Sequence, residues 1–364
     1  MSNSLNDIQR HGQSVWYDNV SRGLIESGEL SRLIGLGVTG LTSNPTIFQK
    51  AIAGSDDYDD AFEALVRGGK DTDAIYESLA INDIRAAADL LRPVYDATEG
   101  VDGYASLEVN PHLAHDTEGT VTEARRLFAE LDRPNIMMKV PATPEGMPAV
   151  RRLIGEGINV NITLLFSLEA YREARLAYIA GLEVLQENGG DLSGVASVAS
   201  FFVSRVDTSV DSLLGDKAPE LAGRAAIANA KLAYRDFQQD FITPRFVALR
   251  EAGARVQRPL WASTGVKNPA YIDVLYVESL IGQDTVDTMP EATLFAFLDH
   301  GTAGDTIVSD VDGAAKLIDD VAASGVNMDE VTSGLLSNGV KLFSDSFDEL
   351  MADISRKRGA LARA

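Results

Sequence analysis

Short apolar runs alternate along this chain with longer segments whose apolar residues recur every three or four positions. The runs are typical of buried strands, and the spaced segments are typical of amphipathic helices. Eight strands are predicted, at residues 15–19, 38–41, 102–110, 136–140, 158–166, 195–203, 258–264 and 284–289. Helical spacing follows each of them, at residues 22–33, 72–95, 121–131, 147–154, 168–185, 225–252, 271–281 and 290–298.

Regular alternation of strand and helix predicts an α/β fold with a parallel sheet. Eight near-continuous apolar strands without a linker fit a closed (β/α)8 TIM barrel better than an open doubly wound sheet, which is the alternative. Residues after about 305 have helical spacing, so we expect additional C-terminal helices packed on the barrel. No low-complexity segment interrupts the chain, and residues 1–364 are expected to form one domain.

The composition limits the possible partners. Asp and Glu number 54 against 32 Lys and Arg, which gives a net charge of −22 and argues against binding to nucleic acid or to an anionic membrane. An anionic ligand would therefore need a few local cations. There is no cysteine, so disulfides and thiolate chemistry are excluded. We expect a cytoplasmic protein without a signal peptide, either a monomer or a homodimer.

Polar side chains stand at the predicted carboxyl ends of most strands, where barrel enzymes place their chemistry. Taken singly, each has an ordinary structural explanation: a lysine that reaches the surface, a paired carboxylate, or an asparagine that starts a turn. Taken together they favour a site. The residues are Asp18, Asn44, Glu108, Lys139, Asn161, Thr163, Ser200, Arg205 and Lys267.

The lysine in the segment NIMMKVPAT suggests the chemistry, because Lys139 interrupts an otherwise apolar strand. Burial favours the neutral form of an amine, and a neutral amine can attack a carbonyl group to form a Schiff base. The resulting iminium withdraws electrons, so that an adjacent C–C bond can break or form. Carboxylates must move the protons, and Asp18 and Glu108 are the candidates. This chemistry needs neither a metal nor a cofactor.

Two motifs that would indicate a bound cofactor or metal are rejected. GLGVTG at 35–40 has the spacing of a dinucleotide-binding motif, but it follows a predicted helix and leads into a strand, which is the wrong order. HLAH at 112–115 holds two of the four histidines, and no second cluster of ligands accompanies it. We therefore expect no metal site.

Several segments, in order, resemble the transaldolase family: LTSNPTIF, SLEVNPHLAHDT, NIMMKVPATPEGM, INVNITLLFS and ASFFVSRVD. WASTGVKNPAYIDVLYVESLIG and DTVDTMPEAT are similar to the later strands of a bacterial branch of that family. Some members of this branch carry a fused phosphoglucose isomerase domain, which we do not expect within these 364 residues. The similarity covers nearly the whole chain.

The resemblance implies roles for individual residues. Lys139 is the Schiff-base lysine, and Asp18 and Glu108 handle protons, with Glu108 acting through a water that Thr163 also holds. The remaining positions bind the substrate. The hydroxyl-binding asparagines are Asn44 and Asn161, the phosphate-binding residues are Ser200 and Arg205, and Lys267 stands where many members have a second arginine.

The implied reaction belongs to the pentose phosphate pathway. A dihydroxyacetone unit moves from sedoheptulose 7-phosphate or fructose 6-phosphate to glyceraldehyde 3-phosphate or erythrose 4-phosphate. Phe202 stands where the related short aldolases, which cleave fructose 6-phosphate directly, carry tyrosine, so that Phe202 and Glu108 together indicate a transferase. Two alternatives are a fructose 6-phosphate aldolase-like lyase and a non-catalytic sugar-phosphate binding barrel.

Overall fold

The computed structural model describes residues 3–361, so both ends of the predicted 1–364 domain lie outside the described residues. Eight parallel strands close into a barrel in the order of the sequence, which confirms the (β/α)8 prediction and makes the open-sheet alternative wrong. The strands are β1 Gln13–Tyr17, β2 Gly40–Thr42, β3 Ala105–Glu108, β4 Ile136–Pro141, β5 Val160–Leu165, β6 Ser197–Phe202, β7 Arg258–Ala262 and β8 Thr285–Met289.

The helices surround this barrel and extend beyond its last strand. They are α1 Ser4–Arg10, α2 Arg22–Glu26, α3 Glu29–Leu36, α4 Pro45–Gly54, α5 Asp59–Arg67, α6 Thr72–Ala97, α7 Thr117–Leu131, α8 Gly146–Gly155, α9 Leu168–Glu187, α10 Ser204–Leu214, α11 Ala225–Asp240, α12 Pro244–Glu251, α13 Leu275–Ser279, α14 Glu291–His300, α15 Val311–Ala323 and α16 Met328–Leu361.

Three predicted helices were wrong in extent, and backbone chemistry explains two of them. The helix expected at 22–33 is divided in two at Gly28, whose φ of 81° lies in the left-handed region that favours glycine. The helix expected at 225–252 stops before Pro244, where Thr243 caps a new helix by accepting from the Phe246 N–H. The helix expected at 271–281 is reduced to Leu275–Ser279.

Every residue of β4 and β5 is buried, because barrel strands have side chains in the interior on one face and helices on the other. Side chains alternate between the two faces, so residues that pair across neighbouring strands point the same way. Glu108, Lys139 and Asn161 are paired in this manner across β3, β4 and β5. Three polar side chains from different segments are thus placed next to each other by strand register alone.

Helices continue after the last strand, as predicted. α15 packs against α11, while α16 runs across α4, α6, α10 and the end of β5. Gly339 permits the close approach of α16 to β5, because a Cβ atom there would lie 2.9 Å from Leu164 Cδ2. Since these segments all meet at the carboxyl end of the barrel, α16 covers part of the barrel mouth.

Within residues 3–361, no helix combines the length and the apolar character that crossing a membrane requires.

Asp287 is a buried carboxyl group outside the predicted site. Its Oδ1 accepts a hydrogen bond from Thr264 Oγ1 at 2.9 Å, and its Oδ2 has no hydrogen-bond partner among the described residues. Burial raises the pKa of Asp287 to about 8. The folded protein therefore keeps this proton at neutral pH, whereas the unfolded chain loses it near pH 4. The stability that this difference contributes is complete below pH 4 and is lost as the pH rises to 8.

The melting temperature of wild type should fall between pH 5 and pH 8. We expect this fall to be smaller in Asp287→Asn. Asparagine keeps an acceptor for Thr264 and has no proton to lose. The difference in Tm between variant and wild type should grow by about 5 °C over this interval. Thermal unfolding at pH 5, 6, 7 and 8 measures it, and parallel Tm curves for the two proteins would contradict the assignment.

Candidate active site

Lys139 lies at the barrel mouth, with its side chain only 5% exposed. The Nζ atom donates a hydrogen bond to the Ser43 carbonyl oxygen at 3.0 Å. It also lies 3.3 Å from Glu108 Oε2, and the centre of the Phe343 ring is 5.6 Å away. The lysine does not reach the surface, so the structure places an amine inside the barrel at the point where β4 ends.

A cavity of about 350 Å³ opens beside this amine. It is bounded by residues from the ends of six of the eight strands and from the segments that follow them. Eight of the ten predicted site residues line it: Asp18, Asn44, Lys139, Thr163, Ser200, Phe202, Arg205 and Lys267. Sequence reasoning therefore located just under half of the lining residues, and Asn161 and Glu108 are not part of the lining.

Asn161 lies below the cavity and is fully buried. Its amide nitrogen donates to Ser106 Oγ at 3.1 Å, and its amide oxygen accepts from Ser200 Oγ at 2.7 Å. These bonds hold Ser200 at the cavity wall and occupy both ends of the amide. The structure thus brings Asn161 to the predicted place but gives it hydrogen bonds to the protein.

Glu108 is the acid in direct contact with Lys139. Its side chain is 3% exposed, and burial raises the pKa of Glu108 to about 7, although the nearby Lys139 charge opposes the shift. The 3.3 Å contact with Lys139 is an ion pair without hydrogen-bond alignment, since neither carboxylate oxygen has a hydrogen-bond partner among the described residues. Glu108 lines a second cavity, of about 270 Å³, together with Tyr76 and Phe347.

Asp18 follows β1 and faces the same cavity as Lys139. Thr42 Oγ1 donates to Asp18 Oδ1 at 2.8 Å, and Thr42 is itself bonded to Thr288. Burial raises the pKa of Asp18, and the charge of Lys139 and the Thr42 hydrogen bond oppose this. The two carboxyl groups are thus held in different surroundings, one hydrogen-bonded by a threonine and one beside the amine.

Two cations stand on the β6–β7 side of the cavity. Arg205 lies in the first turn of α10, and its guanidinium carbon lies 5.2 Å from the centre of the Phe202 ring. Burial lowers the pKa of Arg205, and the carboxylate of Asp18 opposes that shift. Lys267 is exposed in the loop after β7. This side of the cavity is suited to an anionic group.

Asn44 combines a structural position with access to the cavity. Its side-chain oxygen accepts from the Ile47 N–H at 3.0 Å, which caps α4, and Pro45 occupies the first helical turn. The capping bond uses the oxygen and leaves the amide N–H₂ group to donate.

Comparison with known proteins agrees with this arrangement. The model of the family "Transaldolase/Fructose-6-phosphate aldolase" matches residues 15–354. The chain belongs to this family. The Transaldolase of Thermobifida fusca is 50% identical over 366 residues, which cover 99% of this chain and 100% of that protein. Transaldolase 1 of Streptomyces coelicolor is 51% identical over 97% of this chain and 94% of that protein. The Transaldolase of Trichodesmium erythraeum is 45% identical over 98% of both chains.

Sequence reasoning missed part of the lining of this transaldolase-family cavity. Thr42 and Thr288 lie at strand ends, so the same strand-end rule would have found them. Lys50 lies on α4, and Phe343 comes from α16. No local pattern marks these two residues, because only the packing of α16 against the barrel mouth brings Phe343 to Lys139.

The two histidines of HLAH each contact a different carboxylate side chain. His112 Nε2 lies 2.8 Å from Asp348, and His115 Nδ1 lies 3.1 Å from Glu145. Over residues 3–361, no group of three or more His, Asp or Glu side chains has an arrangement that would hold a metal ion.

Proposed function

We propose that the protein is a transaldolase that uses Lys139 as its Schiff-base nucleophile. The observation that carries the proposal is the buried amine of Lys139 beside Glu108, at a cavity that the cations Arg205 and Lys267 also line. Close relatives over the full length are named Transaldolase, which supports the same activity here. The proposal also includes that the enzyme is cytoplasmic, acts on sugar phosphates, and is a monomer or a homodimer.

The reaction begins when the neutral amine of Lys139 attacks the ketone carbon of the donor. The carbinolamine loses water and becomes an iminium. The bond between the α carbon and the β carbon, counted from the iminium carbon, then breaks. Its electron pair moves toward the iminium, and the first aldehyde leaves. An enamine of dihydroxyacetone remains on Lys139. It attacks the carbonyl carbon of the acceptor aldehyde, and water then releases the new ketose.

Protons move through Asp18 and Glu108 in this scheme. Asp18 faces the cavity directly, and we assign it to the hydroxyl proton that departs when the C–C bond breaks. Glu108 and Thr163 both carry buried oxygens without hydrogen-bond partners among the described residues. A water bonded to both would satisfy them, and through it Glu108 would carry protons to and from the carbinolamine.

The other end of the substrate is assigned to the remaining residues. Arg205 and Lys267 take the phosphate, and Ser200 joins them when its hydroxyl turns from Asn161 to donate to a phosphate oxygen. Asn44 donates to a substrate hydroxyl group. Asn161 holds Ser200 through a hydrogen bond, which favours a supporting role for Asn161. Any contact of Asn161 with a substrate hydroxyl group comes in addition to this role. Lys267 provides a point charge, whereas an arginine at this position would bind the phosphate with two parallel hydrogen bonds.

Transfer from fructose 6-phosphate to an aldose phosphate tests the proposal. We expect rapid transfer and slow cleavage when no acceptor is present. Rapid cleavage without acceptor would identify the lyase alternative. Binding of fructose 6-phosphate without any turnover, and without a covalent adduct after borohydride reduction, would identify the binding-barrel alternative.

We expect Arg205→Ala to raise KM for phosphorylated donors about 100-fold, because the half-buried guanidinium would provide charge-assisted hydrogen bonds to the phosphate. KM for an unphosphorylated dihydroxyacetone donor should change little. Steady-state kinetics with both donors separates the two effects. The matched control is Arg245→Ala, which changes an arginine paired with Glu183 on the outer surface. An equal loss for both donors would remove the phosphate role of Arg205.

A further inference from the structure

We infer that Phe343 of α16 decides how the enamine on Lys139 divides between transfer to an aldehyde and loss to water. The inference rests on the proposed function and extends it to a residue far from the barrel strands in sequence. Phe343 would then be a specificity-determining residue that favours a transferase over a lyase.

The contacts around the amine lead to this inference. Lys139 Nζ has the Ser43 carbonyl oxygen and the Glu108 carboxylate as polar neighbours. The Phe343 ring lies 5.6 Å from Nζ, lines the cavity and is 4% exposed. An apolar ring therefore covers the amine where the cavity adjoins α16.

The ring is held in place by the rest of the helix. One turn before it, Gly339 packs against Leu164, the residue after Thr163. One turn after it, Phe347 packs edge-on against Tyr76, with ring centres 5.3 Å apart. At the far end of α16, Lys357 forms an ion pair with Asp59 of α5. Phe343 is thus fixed by contacts on both sides of its own turn.

The reaction that Phe343 opposes has a defined chemistry. The enamine carbon takes a proton from water, and the electron pair of its double bond forms the new C–H bond, leaving an iminium and hydroxide. A water molecule then adds to the iminium carbon and loses a proton to the hydroxide. The carbinolamine that results breaks its C–N bond, the hydroxyl proton passes to nitrogen, and dihydroxyacetone leaves the free amine of Lys139.

Phe343 acts on this reaction through the space that it fills. Its ring lies beside Lys139, so fewer water molecules reach the enamine carbon. Arg205 and Lys267 line the same cavity, and in this scheme they would hold the acceptor aldehyde by its phosphate.

The experiment compares Phe343→Leu and Phe343→Ala with wild type. With fructose 6-phosphate as donor, chromatography measures dihydroxyacetone released without acceptor and product formed with an aldose phosphate. The ratio of release to transfer should rise in the order Phe, Leu, Ala, and the alanine variant should exceed wild type on the order of 10-fold. The leucine variant keeps most of the packing, so it carries the comparison if the alanine variant fails to fold.

One control comes from the same helix. Leu342→Ala changes the preceding residue, which is 44% exposed. It should leave the ratio of release to transfer at the wild-type value. Unchanged ratios in the folded Phe343 variants would overturn the inference while the transaldolase proposal stands. A wild-type protein with no transfer and no borohydride-trapped adduct would instead overturn the proposed function.

Discussion

Lys139→Ala is expected to reduce turnover below about 1% of wild type and to leave the fold intact. The variant lacks the only group that the proposed mechanism joins covalently to the donor. It also removes the charge that pairs with Glu108 inside the barrel. Without that charge, burial favours the protonated, neutral form of Glu108 more strongly. Circular dichroism and thermal unfolding should therefore show a folded protein.

Borohydride reduction in the presence of fructose 6-phosphate identifies the covalent residue. Wild type should gain one dihydroxyacetone-sized group on the peptide that holds Lys139, and the alanine variant should gain none. Lys316→Ala is a suitable control, since Lys316 pairs with Asp320 on the outer face of α15. An active Lys139→Ala protein, with more than a few per cent of wild-type turnover, would remove Lys139 from the mechanism.

Glu108→Gln is expected to lower kcat by a factor of about 10² to 10⁴, the usual contribution of a general acid or base. The change keeps the shape of the side chain and removes its titration. Because Glu108 must be ionised to accept a proton, wild-type turnover should rise as the pH passes through about 7, the pKa that burial gives this acid. The variant should lose that rise.

The two effects of Glu108→Gln are measured by kcat from pH 5.5 to 8.5 and by borohydride trapping. An adduct on Lys139 should still form in the variant, but more slowly, because the amine remains. Glu123→Gln is a useful control, since Glu123 borders the same second cavity and pairs with Arg126 away from the amine. A rise near pH 7 that persists in Glu108→Gln would assign the titration to another group.

Strand-end polarity in the sequence identified seven residues of the cavity lining, and the family resemblance added Phe202. Lys139 and Thr163 were predicted from their own strands, and their convergence followed from parallel pairing. Thr42 and Thr288 obey the same rule and were overlooked. Helix limits were less accurate, since Gly28 and Pro244 broke helices that apolar spacing alone would have continued.

Side-chain partners could not be read from the sequence. The proposed use of Asn161 for substrate hydroxyls arose from the resemblance, whereas the structure engages its amide with Ser106 and Ser200. Likewise, the high pKa of Glu108 depends on burial by residues from other segments. Such effects come from neighbours in space, and these neighbours are distant in the chain.

The sequence by itself determined the alternation of strands and helices, the barrel and the amine within β4. It did so because hydrophobic periodicity and strand alternation are local properties that a single segment expresses. Only the tertiary structure decided that Phe343 covers that amine and that Glu108 lines a cavity of its own. Both depend on where α16 packs across the barrel mouth, and that packing is set by contacts such as Gly339 with Leu164, between segments far apart in the chain.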